Sequence, residues 1–133
     1  TKKIHIEARV LGDLAMNHIV PVASRYQSIL LDNIAKFNSL FPADEAKVLA
    51  AQDVAVVRKV SKHITEVITK VDAMVDARKV ANKIAEEREK AIAYHDTVLP
   101  LMDEIRYHID KLELIVDNEM WPLPKYRELL FIR

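Results

Sequence analysis

Apolar side chains return every three or four residues along most of this chain, the period of a helix face and not of a strand. The first series is Leu11, Leu14, Ile19, Val22, Tyr26, Leu30, Ile34, Phe37 and Phe41, with one longer step between Leu14 and Ile19. It predicts a helix over about residues 4–40, ended by Asn38-Ser39 and the following Pro42. Pro21 falls inside it. Without an N–H it leaves the carbonyl of Asn17 unpartnered, so a kink is expected there. Asp44 and Glu45 open a second helix, where the positive end of the macrodipole favours carboxylates. Val57, Val60, Ile64, Val67, Val71 and Met74 then alternate three and four apart, and Ile68 and Val75 widen that seam into a face.

One uninterrupted helix over 43–118 would be about 110 Å long and could not bury its own seam. Charge supplies the turn. Arg78, Lys79 and Lys83 suit a helix C-terminus and Glu86, Glu87 and Glu89 the next N-terminus, which places a break near 81–86. The third series is Ile84, Arg88, Ala91, His95, Val98, Met102, Ile105, Ile109, Leu112 and Val116, with Pro100 inside it. The expected fold is all-α: an up-down-up bundle of three long helices (about 4–40, 43–82 and 84–118) with an extended proline-rich C-terminal tail, one helical domain over 1–133. Pro21 and Pro100 each lie about seventeen positions into their helices, so in that bundle the two kinks should fall at one level.

Composition supports this reading. The chain has one glycine, Gly12, where an average chain of 133 residues carries roughly nine. Hairpin turns, dinucleotide-binding turns, P-loops and nucleophile elbows all depend on residues that tolerate φ > 0, and they are excluded together. Twenty Lys+Arg balance twenty Asp+Glu, and no basic stripe carries interleaved aromatics, so nucleic acid is not an expected partner. There is no cysteine, hence no disulfide framework or thiolate metal site. No apolar run is long enough to span a membrane, and Glu7, Arg9 and Asp13 interrupt any signal-peptide core. A soluble, cytoplasmic helical protein is expected.

Candidate chemistry is sparse. No glutamate has a histidine three residues on, and HExxH is absent, so neither a carboxylate-bridged di-metal site nor a helical zinc site is encoded. Glu104 and His108 stand four apart, as a surface helical pair. Arg88 and His95 fall on the third seam, where a polar residue sets register or reaches the bundle edge. Tyr94 and Tyr107 read as packing residues with the hydroxyl at the rim. Ser24, Ser28, Ser39 and Ser61 have no glycine-rich elbow to expose them. No catalytic, cofactor-binding or metal-ligating residue is therefore singled out.

Two segments look like interaction surfaces instead. Arg9, Asp13 and Asn17 share one helix face, and Gly12 beside them leaves room for close approach; the alternative is an exposed polar stripe with a tolerated glycine. In WPLPKYRELLF, Pro122 and Pro124 force extended geometry on Trp121 and Leu123, and Tyr126, Leu129, Leu130 and Phe131 follow as a dense apolar cluster. Such a strip suits a clamp, folded back on the bundle or docked on a partner.

These two ends carry a family resemblance. IEARVLGDLAMNHIVPVASRYQ at 6–27 and DKLELIVDNEMWPLPKYRELLF at 110–131 resemble the extreme C-terminal region of type III glutamine synthetases, as do ARKVAN at 77–82 and YHDTVLPLMDEIR at 94–106. Arg9, Gly12, Asp13, Asn17 and His18 match the first signature; Trp121, Pro122, Pro124, Tyr126, Leu129, Leu130 and Phe131 match the terminal one. His95 departs from the cysteine or arginine common there. The resemblance implies a C-terminal piece of a larger, ring-built enzyme that makes glutamine from glutamate, ammonia and ATP with divalent metal ions. It implies no cofactor in this piece, whose partners would be the catalytic portion and neighbouring subunits of a homo-oligomer. The competing readings are an independent helical-bundle interaction module, for which Thr1-Lys2-Lys3 gives only a vague helix start, and a metal or cofactor bundle, which lacks ligands.

Overall fold

The computed structural model describes residues 2–116; the expected tail, with Trp121 and all the terminal signature, and the end of the third helix at 117–118 lie outside the described residues. Among the described residues the structure is helical and contains no strand. Helix α1 (Lys2–Leu14) passes through a π-helical turn (Ala15–Ile19) into α2 (Val20–Leu40). A short α3 (Ala43–Leu49) precedes α4 (Ala51–Asn82); α5 (Glu87–Ala93) passes through a second π turn (Tyr94–Val98) into α6 (Leu99–Ile115).

The expected second helix, 43–82, is divided. At Ala50 the backbone flattens to φ −86° and ψ −4°, its N–H shared between the carbonyls of Ala46 and Val48, before α4 resumes. The bend puts the two small side chains Ala46 and Ala50 under cover. The expected third helix begins at Glu87 and not at residue 84: the N–H groups of Lys83 and Ile84 close the end of α4 on Val80 and Ala81, so Ile84 belongs to the turn. The turn does fall where charge places it. Glu86 caps α5, its carboxylate accepting from the N–H groups of Arg88 (3.0 Å) and Glu89 (2.7 Å). The helix ends at Ile115, with Val116 in extended geometry.

Both internal prolines sit at the second position of an α-helix that follows a π turn. The Val20 N–H reaches the Ala15 carbonyl and the Leu99 N–H the Tyr94 carbonyl, five residues back in each case. A proline ring collides with the carbonyl four residues back in a regular helix. The extra residue of a π turn widens the coil at that point and moves the obstruction away. The long step from Leu14 to Ile19 is the trace of the first π turn in the sequence.

Polar contacts fix directions and levels. Gln27 donates to Val57 O and Ser61 Oγ, Asn33 donates to Asp53 at 2.5 Å, and the open side of Gly12 faces Val71 and Met74, so the α1–α2 rod runs against α4. On the other flank Tyr94 meets Asn82, Glu104 meets Lys70 and His108 meets His63, so the α5–α6 rod also runs against α4. Interpolation puts Pro21 beside residue 65 of α4 and Pro100 beside residue 75. The two prolines are therefore separated by about ten residues, or roughly 15 Å, and do not share a level as expected.

The core is a single cluster from Ala8 to Val116, with Ile19, Val60, Val67, Met74, Tyr94, Val98, Met102, Ile105 and Leu112 fully enclosed. It does not extend into the α2–α3–α4 hairpin: between residues 24 and 59 only Ala46 and Ala50 are buried, while Leu40 (76%) and Val48 (75%) are largely exposed. Replacing Ile105 by alanine removes a fully buried side chain and should cost about 2–5 kcal/mol. Leu114→Ala, on the same helix but 70% exposed, should stay within about 0.5 kcal/mol in the same denaturant titration.

Candidate functional site

The face proposed from sequence lies on the outside of α1. Arg9, Asp13 and Asn17 are exposed, and Asn17 donates to the Asp13 carboxylate at 2.6 Å, bracing the stripe within its own helix. Beside it Ile6 and Val10, one turn apart, are more than half exposed. His5, Ile6, Arg9, Val10 and Asp13 line an open groove of about 470 Å³. Gly12 turns inward from this stripe. A Cβ built there would lie 3.4 Å from Met74 Cε and 3.9 Å from Val71 Cγ1, so the close approach it permits is that of α4.

Sequence reasoning missed a polar cluster at the next turn. Tyr94, expected with its hydroxyl at the rim, is fully buried, and His95 and Arg88, expected on the seam, are exposed. The π turn is the reason: it adds a residue to the coil, so a heptad counted straight through Tyr94–Val98 names the wrong side chain. The Tyr94 hydroxyl donates to Asn82 Oδ1. Its single proton is thereby used, so His5 Nδ1, 2.9 Å from the same oxygen, must be the donor in the second bond. This places a proton on His5 Nδ1. Burial, then the positive charges of Arg78 and Arg9, hold His5 below its ordinary value. Burial raises the Tyr94 phenol against the opposing influence of Arg78 and Asn82. Lys2, His5, Asn82, Glu87 and Tyr94 border a shallow hollow of about 410 Å³.

The expected Glu104–His108 pair is also rearranged. Glu104 bonds across to Lys70 at 3.3 Å, and His108 Nδ1 lies 2.9 Å from His63 Nδ1, with Glu66 3.8 Å from its other nitrogen. Each partner comes from α4, so helical spacing within α6 could not reveal it. His95 meets its neighbour Asp96 at 3.2 Å, in an exposed position. Among the described residues no three His, Asp or Glu side chains converge as a metal site, and no helix is long and apolar enough to cross a membrane. The arrangement braces helices against one another and leaves the outer face of α1 exposed.

Residues 1–38 match the family model described as the glutamine synthetase C-terminal domain. The whole chain is 47% identical over 133 residues to a glutamine synthetase of Bacteroides fragilis (strain YCH46). It is 30% identical over 135 residues to a type-3 glutamine synthetase of Dictyostelium discoideum, covering 99% of the chain. A glutamine synthetase of Butyrivibrio fibrisolvens is 27% identical over 131 residues, covering 98%. The chain spans 18% of the length of each of these relatives. Its first 38 residues carry the C-terminal domain of glutamine synthetases, and the whole chain is similar to proteins of that name. The relatives to which it is similar from end to end include a type-3 enzyme.

Gly12→Ala separates packing from docking. A methyl group at that position meets ordinary contact distances, and alanine is favoured over glycine in a helix by about 1 kcal/mol. The variant should raise the melting temperature of the chain. A lowered melting temperature would show that α1 and α4 are closer than the Met74 side chain can accommodate.

Proposed function

We propose that this chain is the C-terminal structural and oligomerisation domain of a type III glutamine synthetase, not catalytic in itself. The observation that carries the reading is end-to-end similarity to enzymes of which the chain spans only 18%. The parent reaction would be the ATP-dependent ligation of ammonia to glutamate, with ATP and divalent metal held by the catalytic portion. The described residues offer no converging donor set for such a metal, so no step of that reaction is assigned to them.

The three rods act as an up-down-up scaffold, a reading supported by the antiparallel pairings on both flanks of α4. On this scaffold the outer face of α1, with Ile6, Arg9, Val10, Asp13 and Asn17, docks the catalytic portion of the same chain or a neighbouring subunit. Exposed Ile6 and Val10 beside a braced polar stripe have the mixed character of a protein interface. The partners are thus protein, in a homo-oligomer, with no nucleic acid or membrane among them, and the setting is cytoplasmic.

Substitution of Ile6 and Val10 by aspartate in the full-length parent enzyme should reduce assembly by native mass and reduce glutamine formation with it. The same pair of changes in the isolated chain should leave its melting temperature nearly unchanged, since both side chains already face water. Intact assembly of the substituted parent would remove α1 as the docking face. Glutamine formation by the purified chain alone would refute the accessory role.

A further inference from the structure

The contact between α4 and α6 contains one polar arrangement that packing does not require. His63 on α4 and His108 on α6 face one another with their Nδ1 atoms 2.9 Å apart and ring centres 5.2 Å apart. The pair is partly buried, and its neighbours along the two helices are core residues: Val60 and Val67 on α4, and Ile105, Ile109 and Leu112 on α6. A hydrogen bond between two imidazole nitrogens needs one proton, carried by one Nδ1 and accepted by the other. With both Nδ1 atoms protonated, two N–H groups point at each other across a distance that only a bond permits.

We infer that the His63–His108 pair is an acid-sensitive latch between α4 and α6, closed while one proton is shared and opened when each ring holds its own. Charged groups of both signs surround the pair. On α4, Glu66 lies 3.8 Å from His108 Nε2, and Lys62 adjoins His63 in sequence; on α6, Lys111 and the edge of the Tyr107 ring flank the pair, with Glu104 engaged by Lys70 one turn away. From the other side of α4, α2 sends the neutral Gln27 to Ser61. Burial, then the charges of His108, Lys62 and Lys111, hold His63 below its ordinary value, against the opposing effect of Glu66. The sign follows from linkage. A histidine depressed in the folded chain stabilises it fully above the unfolded value of 6.5, and that contribution is lost as the pH falls below 6.5 towards the folded value. Opening the latch loosens α6 from α4 at the level of Ile105–Leu112, independently of which protein the α1 face docks.

Ring proton resonances and backbone hydrogen exchange of the 133-residue chain, followed from about pH 8 to about pH 5, test this directly. The His63 midpoint should fall below 6.5, and protection of residues 105–112 should drop with it, beyond the change that pH alone imposes on exchange. His63→Gln should abolish that pH-linked loss. His5→Gln, which removes the other histidine held low, should retain it. A His63 midpoint at or above 6.5, or a loss of α6 protection that persists in His63→Gln, would overturn the latch. Should His63→Gln fail to fold, His108→Gln gives the same decision: the His63 midpoint must move upward, and an unmoved midpoint refutes the coupling.

Discussion

The apolar seam of α4 is the constraint on which the rest of the molecule depends. Val60, Val67, Val71 and Met74 must leave water, and each contributes about 1.5–3 kcal/mol when it does. A single flanking helix cannot cover a face that wide. The α1–α2 rod takes one flank and the α5–α6 rod the other, and both run against α4 because the connections at 41–42 and 83–86 are too short for anything else. The two π turns follow from the same demand. Each flanking rod must stay continuous while carrying a proline, and inserting one residue keeps the apolar side chains before and after the ring turned towards α4.

Much of this was legible in the sequence, and the limits have physical causes. Period gave the helices, and the switch from Arg78, Lys79 and Lys83 to Glu86, Glu87 and Glu89 located the turn that Glu86 caps. The break at Ala50 was not visible, because alanine has no breaker signature and the local Ala50-Ala51 pair is as good a helix former as any. Arg88 and His95 were misplaced for a different reason. A heptad count assumes 3.5 residues per turn throughout, and the π turn at Tyr94–Val98 violates the assumption within the stretch being counted. The stripe Arg9, Asp13 and Asn17 was legible because it lies within one helix. The pairs His63–His108 and Tyr94–His5 were not, because each joins residues more than forty positions apart whose register is set only by the packed core.

Those two pairs share a position in the architecture. Each sits where one rod meets another, and no buried side-chain nitrogen or oxygen lacks a partner among the described residues. A buried polar group that has lost its partner costs about 1–3 kcal/mol, so a slip of one helix along another is penalised at both places at once. The apolar seams alone would tolerate a slip of one heptad. Tyr94 with Asn82 and His5 joins α1, the end of α4 and the second π turn; His63 with His108 joins α4 to α6 some 25–30 Å further along, by helix rise. Together they set the register of a scaffold whose hydrophobic contacts are permissive.

The distribution of burial bears on what such a scaffold is for. The enclosed core lies where α1, α4 and α6 pack with the first turn of α2, and between residues 24 and 59 only two alanines are buried. Leu40, Phe41, Val48 and Leu49 remain exposed there, and Ile6 and Val10 on the outer face of α1. Scattered apolar side chains are ordinary on a protein surface, but these occupy two places at which packing within the described residues stops. A domain spanning 18% of its relatives' length need not satisfy every face by itself. The polar braces fix the internal register of the rods while these apolar side chains stay in contact with water.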